Sequence, residues 1–166
     1  MVKVLPIVSL LILIGSCFVS CNDTDDGSYV APITLYEKVS GKWMLNSIKQ
    51  VDEISSQSMA LTSSLSFDSF AIDLNTDAKE NPTTFTVEGT APAILPTSGT
   101  WEMGNKFTNS DGTAAKILLH GTNKTYTLTV TNVPGSDKVL EFKLTRKAKG
   151  KAFVSYVYNL IPDTIK

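Results

Sequence analysis

One histidine, one arginine and two cysteines in 166 residues set the first limits on this chain. Cys17 and Cys21 both lie in the first 21 residues, so the remainder has neither a disulfide framework nor a cysteine metal cluster. A single His120 leaves a histidine-based triad or zinc site with little material. Charged residues make up 19%, below the roughly 25% usual for soluble domains, and the formal net charge is −1. Near-neutrality removes the electrostatic case for a nucleic-acid partner. The apolar share of 42% is too high for a wholly disordered chain, and the length suits one domain with an appendage.

The N-terminus reads as an address. Met1-Val2-Lys3 is weakly positive, and Val4 to Ile14 is an uncharged apolar run of 11 residues. As a helix rising about 1.5 Å per residue it covers only about half of a hydrocarbon core, which fits the apolar segment of a secretory signal better than a membrane span. Phe18-Val19-Ser20-Cys21 resembles the lipobox of bacterial lipoproteins, whose peptidase cuts before a lipid-bearing cysteine, although Phe18 stands where Leu, Val or Ile is usual. Ile14-Gly15-Ser16-Cys17 is the competing site, but a cut there leaves Phe18-Val19 at the mature end. A cut before Cys21 leaves Asn22-Asp23-Thr24-Asp25-Asp26, a polar acidic tether, and makes Cys21 the lipid attachment point. A plain secretory signal with two incidental cysteines is the bland alternative. The acidic run resembles the signal that sends lipoproteins of Bacteroidota to the outer face of the outer membrane, which implies a lipid-anchored, surface-exposed protein; the periplasmic face is the other placement. The expected organisation is a signal peptide over 1–20, a flexible tether over 21–32 and a folded domain over 33–166.

The folded part alternates. Tyr126, Leu128 and Val130 interleave with threonines, and Leu140, Phe142 and Leu144 interleave with Glu141, Lys143 and Thr145. Period two is the signature of strands with one buried face. Strands are expected near 41–51, 67–75, 83–88, 99–104, 115–120, 124–133, 138–147 and 152–160, separated by turn residues such as Gly121-Thr122-Asn123 and Pro134-Gly135-Ser136-Asp137. Eight successive strands without crossover helices predict an all-β, antiparallel meander, and closing it into a barrel removes exposed edges. The one helical candidate is a short piece within Glu53 to Ser64, where the serines suit a loop or lid equally well. Ser40-Gly41-Lys42-Trp43 is echoed by Ser98-Gly99-Thr100-Trp101, each Gly-x-Trp opening a strand.

Gly41-Lys42-Trp43 followed by a meander resembles the lipocalin pattern, and the stretches 37–53, 82–101 and 116–144 are similar to the lipocalin-like lipoproteins of Bacteroidota, a family of unknown function. The resemblance implies an eight-stranded calycin-type barrel closed by Gly41, Trp43 and an arginine laid across the indole from a late strand. Arg146, sharing its face with Leu140, Phe142 and Leu144, is the only arginine available for that role.

The candidate chemistry is sparse. His120 ends an apolar strand and reads as a surface residue. Asp68, Asp73, Glu88, Glu102 and Glu141 could pair as glycosidase carboxylates, but nothing in the sequence ties two together. No catalytic residue, metal or cofactor is expected. Lys138, Lys143, Arg146, Lys147, Lys149 and Lys151 concentrate positive charge near the C-terminal hairpin, suited to an acidic glycan or lipid headgroup, or simply to protecting an edge. The inward-facing set is mostly bulky. A filled core is its default, whereas Trp101, Tyr126, Phe142, Tyr156 and Tyr158 would line any ligand site. Two functions follow: a binding module for a small apolar molecule or glycan, or a structural or accessory subunit of an envelope complex with a filled barrel.

Overall fold

A computed structural model describes residues 30–65, 67, 69–89 and 95–163. The expected signal peptide, Cys17, Cys21 and all of the tether before Val30 lie outside the described residues.

The strands form in the order that alternation predicts and close into an eight-stranded antiparallel barrel. Its strands are β1 (Gly41–Asp52), β3 (Ala71–Thr76), β4 (Pro82–Glu88), β5 (Ser98–Met103), β6 (Lys116–His120), β7 (Thr125–Asn132), β8 (Leu140–Ala148) and β9 (Lys151–Pro162), with a short β2 (Ser58–Ala60) appended to β1. Each barrel strand pairs with the next in sequence, and β9 returns to β1 from Trp43↔Pro162 to Asp52↔Val154. A bulge between Leu45 and Ser47 bends β1 along this seam, as closure of a small barrel demands. Residues 33–166 form one compact unit that contains all the paired strands described.

One end of the barrel is plugged by α1 (Leu35–Val39), which alternation does not announce. Its start is nonetheless written in the sequence as Thr34-Leu35-Tyr36-Glu37, a capping box. Thr34 Oγ1 accepts the Glu37 amide at 3.3 Å, and Glu37 Oε2 accepts the Thr34 amide at 2.7 Å. Leu35 and Val39, four residues apart, face the core and are buried. Gly41 then turns the chain into β1 with φ of +102°, a conformation that side chains rarely adopt.

The segment 53–64, read as a short helix, a loop or a lid, holds a turn, the strand β2 and the start of one helical turn, α2 (Thr62–Leu65). β3 reaches only as far as Met44 on β1, so the upper half of β1 needs another partner on that side. β2 supplies it through Lys49↔Ala60 and Val51↔Ser58, and Thr62 Oγ1 accepts the Ile48 amide at 2.7 Å. Leu61 follows its strand inward and is buried. The pairing requirement of an exposed strand edge thus accounts for the strand in this segment.

Alternation places the core correctly. Trp43, Ile72, Leu74, Phe85, Trp101, Ile117, Leu119, Leu128, Phe142 and Tyr158 are buried, with half-buried Leu45, Tyr126 and Tyr156 against them. Phe70 belongs to the same core although it precedes β3, and its carbonyl accepts the Leu45 amide.

Candidate functional site

The barrel interior was one expected site, and it is filled. Tyr158 on β9 stands at its centre, with Phe142 stacked on it at 5.0 Å between ring centroids and Phe70 tilted against it at 5.2 Å. Phe70, Phe85, Phe142 and Tyr158 are each at most 1% exposed, so no water-sized void touches them. Of the five residues expected to line a ligand, Trp101, Phe142 and Tyr158 are therefore packing residues. Tyr156 is half-buried, paired across the strands with Gln50 and Leu144. Tyr126 alone lines a described cleft. That cleft, about 260 Å³, opens between residues 96–98 and the β6–β7 hairpin, where the Lys124 ammonium lies 4.8 Å from the Tyr126 ring. A second cleft of about 400 Å³ lies between the β5–β6 loop and β7, lined by Thr108 and Val133 and by the core residues Ala115 and Val130.

Gly41 and Trp43 sit where the barrel is closed, but Arg146 does not join them. Trp43 lies at the start of β1 and gives its indole N–H to the Val39 carbonyl at 2.8 Å, tying α1 to the barrel end. Trp101 makes the equivalent bond to the Asn75 carbonyl at 2.7 Å, beside the residue that pairs with Gly41. Arg146 pairs with Val154, whose partner on β1 is Asp52, the last residue of that strand. The whole length of β1 separates the arginine from Trp43. Its guanidinium lies instead over the exposed Phe153 ring, 5.7 Å from the centroid.

The two Gly-x-Trp copies use glycine for different reasons. Gly41 needs its positive φ and has open space around it. Gly99 has ordinary dihedrals but no room: a Cβ there would stand 2.1 Å from the His120 carbonyl oxygen.

The polar candidates are engaged with neighbours. His120 contacts Thr125 Oγ1 at 3.0 Å and Glu102 Oε1 at 3.2 Å on the half-exposed outer face. Glu141 accepts from Thr131 at 2.9 Å and from Asn159 at 3.1 Å, and Asn159 in turn accepts from Asn46 at 2.9 Å. This row laces β7, β8, β9 and β1 across the outside. A level higher, the Lys143 ammonium meets Glu53 Oε1 at 2.7 Å, and Ser155, fully buried on the same face, bonds Thr145 at 2.8 Å. The hydrogen bond from Lys143, with a further one from Ser155, holds the Glu53 carboxyl below its usual range. Glu88 pairs with Lys42 at 3.4 Å, Asp73 lies on β3, and Asp68 lies outside the described residues. No group of three His, Cys, Asp or Glu side chains among the described residues is placed to hold a metal ion.

The family profile of a domain of unknown function, DUF5004, matches residues 19–161. The chain belongs to the DUF5004 family. A comparison with curated proteins finds no match. In this DUF5004 domain the described residues pack the barrel centre, and the two clefts lie beside the β6–β7 hairpin and the β5–β6 loop.

Proposed function

We propose that this DUF5004 protein is a lipoprotein of the outer membrane, held by lipid on Cys21, whose filled barrel serves as a structural or accessory subunit of an envelope assembly. The observation that carries the accessory role is the solid centre formed by Phe70, Phe142 and Tyr158, which leaves no room for a ligand among these rings. Recognition then falls to loops and barrel ends, and no chemical step is assigned to any residue. The anchor rests on the lipobox-like Phe18-Val19-Ser20-Cys21 and the acidic residues after it, which also favour the cell surface over the periplasmic face.

Labelled palmitate tests the anchor. Incorporation is expected in the wild type and in Cys17→Ala, and its persistence in Cys21→Ala would overturn the assignment. A thermal-shift screen with fatty acids, small apolar molecules and oligosaccharides tests the filled barrel. A bound ligand at 100 times its dissociation constant adds about 2.7 kcal/mol of stability. The apolar compounds are expected to give no shift, and a saturable shift from one of them would restore the carrier reading.

A further inference from the structure

The end of the barrel opposite α1 combines two features that the fold itself does not use. In a chain with 15 basic and 16 acidic residues, four of the basic ones fall within the six residues 146–151. Arg146, Lys147, Lys149 and Lys151 occupy the β8–β9 hairpin, all exposed, and none makes an ion pair among the described residues. Lys149 and Gly150 both have positive φ, +50° and +79°, which gives the tight two-residue turn that suits hairpin twist. The turn holds the four cations together at the tip. Of the nearby carboxylates, Glu53 is paired with Lys143, and Asp52, which accepts the amides of Ile54 and Ser55 at 2.7 and 3.1 Å, leaves one negative charge against the four cations.

Beside these cations stand apolar side chains turned to solvent. Ile54 is 83% exposed at the end of β1, and its neighbour Glu53 donates its amide to the Phe153 carbonyl at 3.2 Å. Phe153, 37% exposed, carries the Arg146 guanidinium over its ring. Met59 on β2, opposite Gln50, is 53% exposed close by. The far end differs: its loops bring Asp77, Glu80, Asp111 and Asp137 among their lysines.

We propose that this end docks on an anionic lipid bilayer, with Ile54 and Phe153 entering the headgroup layer while the hairpin cations meet lipid phosphates. Charge alone would suit any polyanion. The apolar side chains select a surface with hydrocarbon beneath its charge, because a soluble polyanion offers them no place to leave water. Each Lys or Arg near an anionic membrane surface strengthens binding about fivefold at physiological salt, and the attraction fades within a Debye length. The docking is independent of the acyl anchor.

The test uses a form beginning at Asn22, which has neither leader nor lipid site, and co-sedimentation with vesicles. Binding is expected to phosphatidylcholine vesicles containing about 30% phosphatidylglycerol, and not to phosphatidylcholine alone. Lys147→Gln, Lys149→Asn and Lys151→Gln together are expected to weaken it about a hundredfold, asparagine being chosen because it tolerates the positive φ at 149. Ile54→Asn, which leaves charge unchanged, is expected to weaken it several-fold, and circular-dichroism melts check that all variants stay folded. Equal binding to both vesicle types, or undiminished binding by the triple variant, would overturn the proposal. So would a loss with the lysines but none with Ile54→Asn together with full competition by dextran sulfate, since that pattern marks a site for soluble polyanions.

Discussion

The Phe142 ring lies stacked on Tyr158 at 5.0 Å, and the Tyr158 hydroxyl ends among core side chains with no hydrogen-bond partner among the described residues. The ring earns its position through packing, while its oxygen is desolvated without compensation. A buried unpaired polar group costs about 1–3 kcal/mol, and removing the oxygen leaves the ring contacts in place. Tyr158→Phe is therefore expected to raise unfolding stability by about 1 kcal/mol, seen as a higher urea midpoint at constant slope. A lower midpoint would show that the hydroxyl has a partner.

The two glycines of the Gly-x-Trp copies separate backbone strain from crowding. Gly41→Ala meets no atom but must hold φ of +102°, a cost of about 1–3 kcal/mol. Gly99→Ala sets a methyl 2.1 Å from a carbonyl oxygen of the neighbouring strand and 2.8 Å from the Phe85 ring, so β5 and β6 must part. Its expected cost is about 3 kcal/mol or more, the upper range of overpacking. Paired urea titrations check the order, with Gly99→Ala the less stable.

Trp43 and Arg146, joined by the lipocalin resemblance, are separated in their energetics. Trp43→Phe keeps a ring but strands the buried Val39 carbonyl and frees α1, at an expected cost of about 2 kcal/mol. Limited proteolysis should then cut sooner between Thr34 and Ser40. Arg146→Ala removes only an exposed cation–π contact with Phe153, about 0.5–1 kcal/mol, and should hardly move the melting temperature. A drop as large as that of Trp43→Phe would contradict the geometry.

The contrast between these residues shows what alternation makes legible. Period two gives nearly all inward residues, because facing depends only on a strand's own pattern, and short connections without crossover helices give the strand order and the closed meander. Arg146 has the right parity, yet parity is silent on height along the barrel axis. That height comes from the β8–β9–β1 register, which places position 146 at the opposite end from position 43. The Thr34–Glu37 capping box was readable but too short to compete with eight strands. The β2 segment was not readable, since it exists only because β3 leaves half of β1 unpaired. The bulk of the inward-facing set already favours a filled core; what sequence positions do not show is that Tyr158, Phe70 and Phe142 meet at one level.

Stability should have two pH limbs with separable causes. Asp52, Asp77, Asp111 and Asp137 are held below their ordinary value of 3.8 by hydrogen bonds, chiefly from Ile54, Asn81, Thr113 and Asn132. Glu37 and Glu53 are held below 4.5, by the Thr34 amide and by Lys143. In each case the unfolded chain binds the proton more readily, so this stabilisation is complete above pH 4.5 and is lost as the pH falls through the depressed values. Tyr158 has the opposite sign. Burial raises its phenol above the ordinary 10.0, so the folded state keeps a proton that the unfolded state releases. Its contribution is complete below pH 10.0 and declines as the pH rises beyond it. Urea midpoints across this range should fall on both sides of a neutral plateau. Tyr158→Phe should flatten the alkaline side while leaving the acid side unchanged, and an alkaline decline that is the same in the variant would assign that limb to other groups.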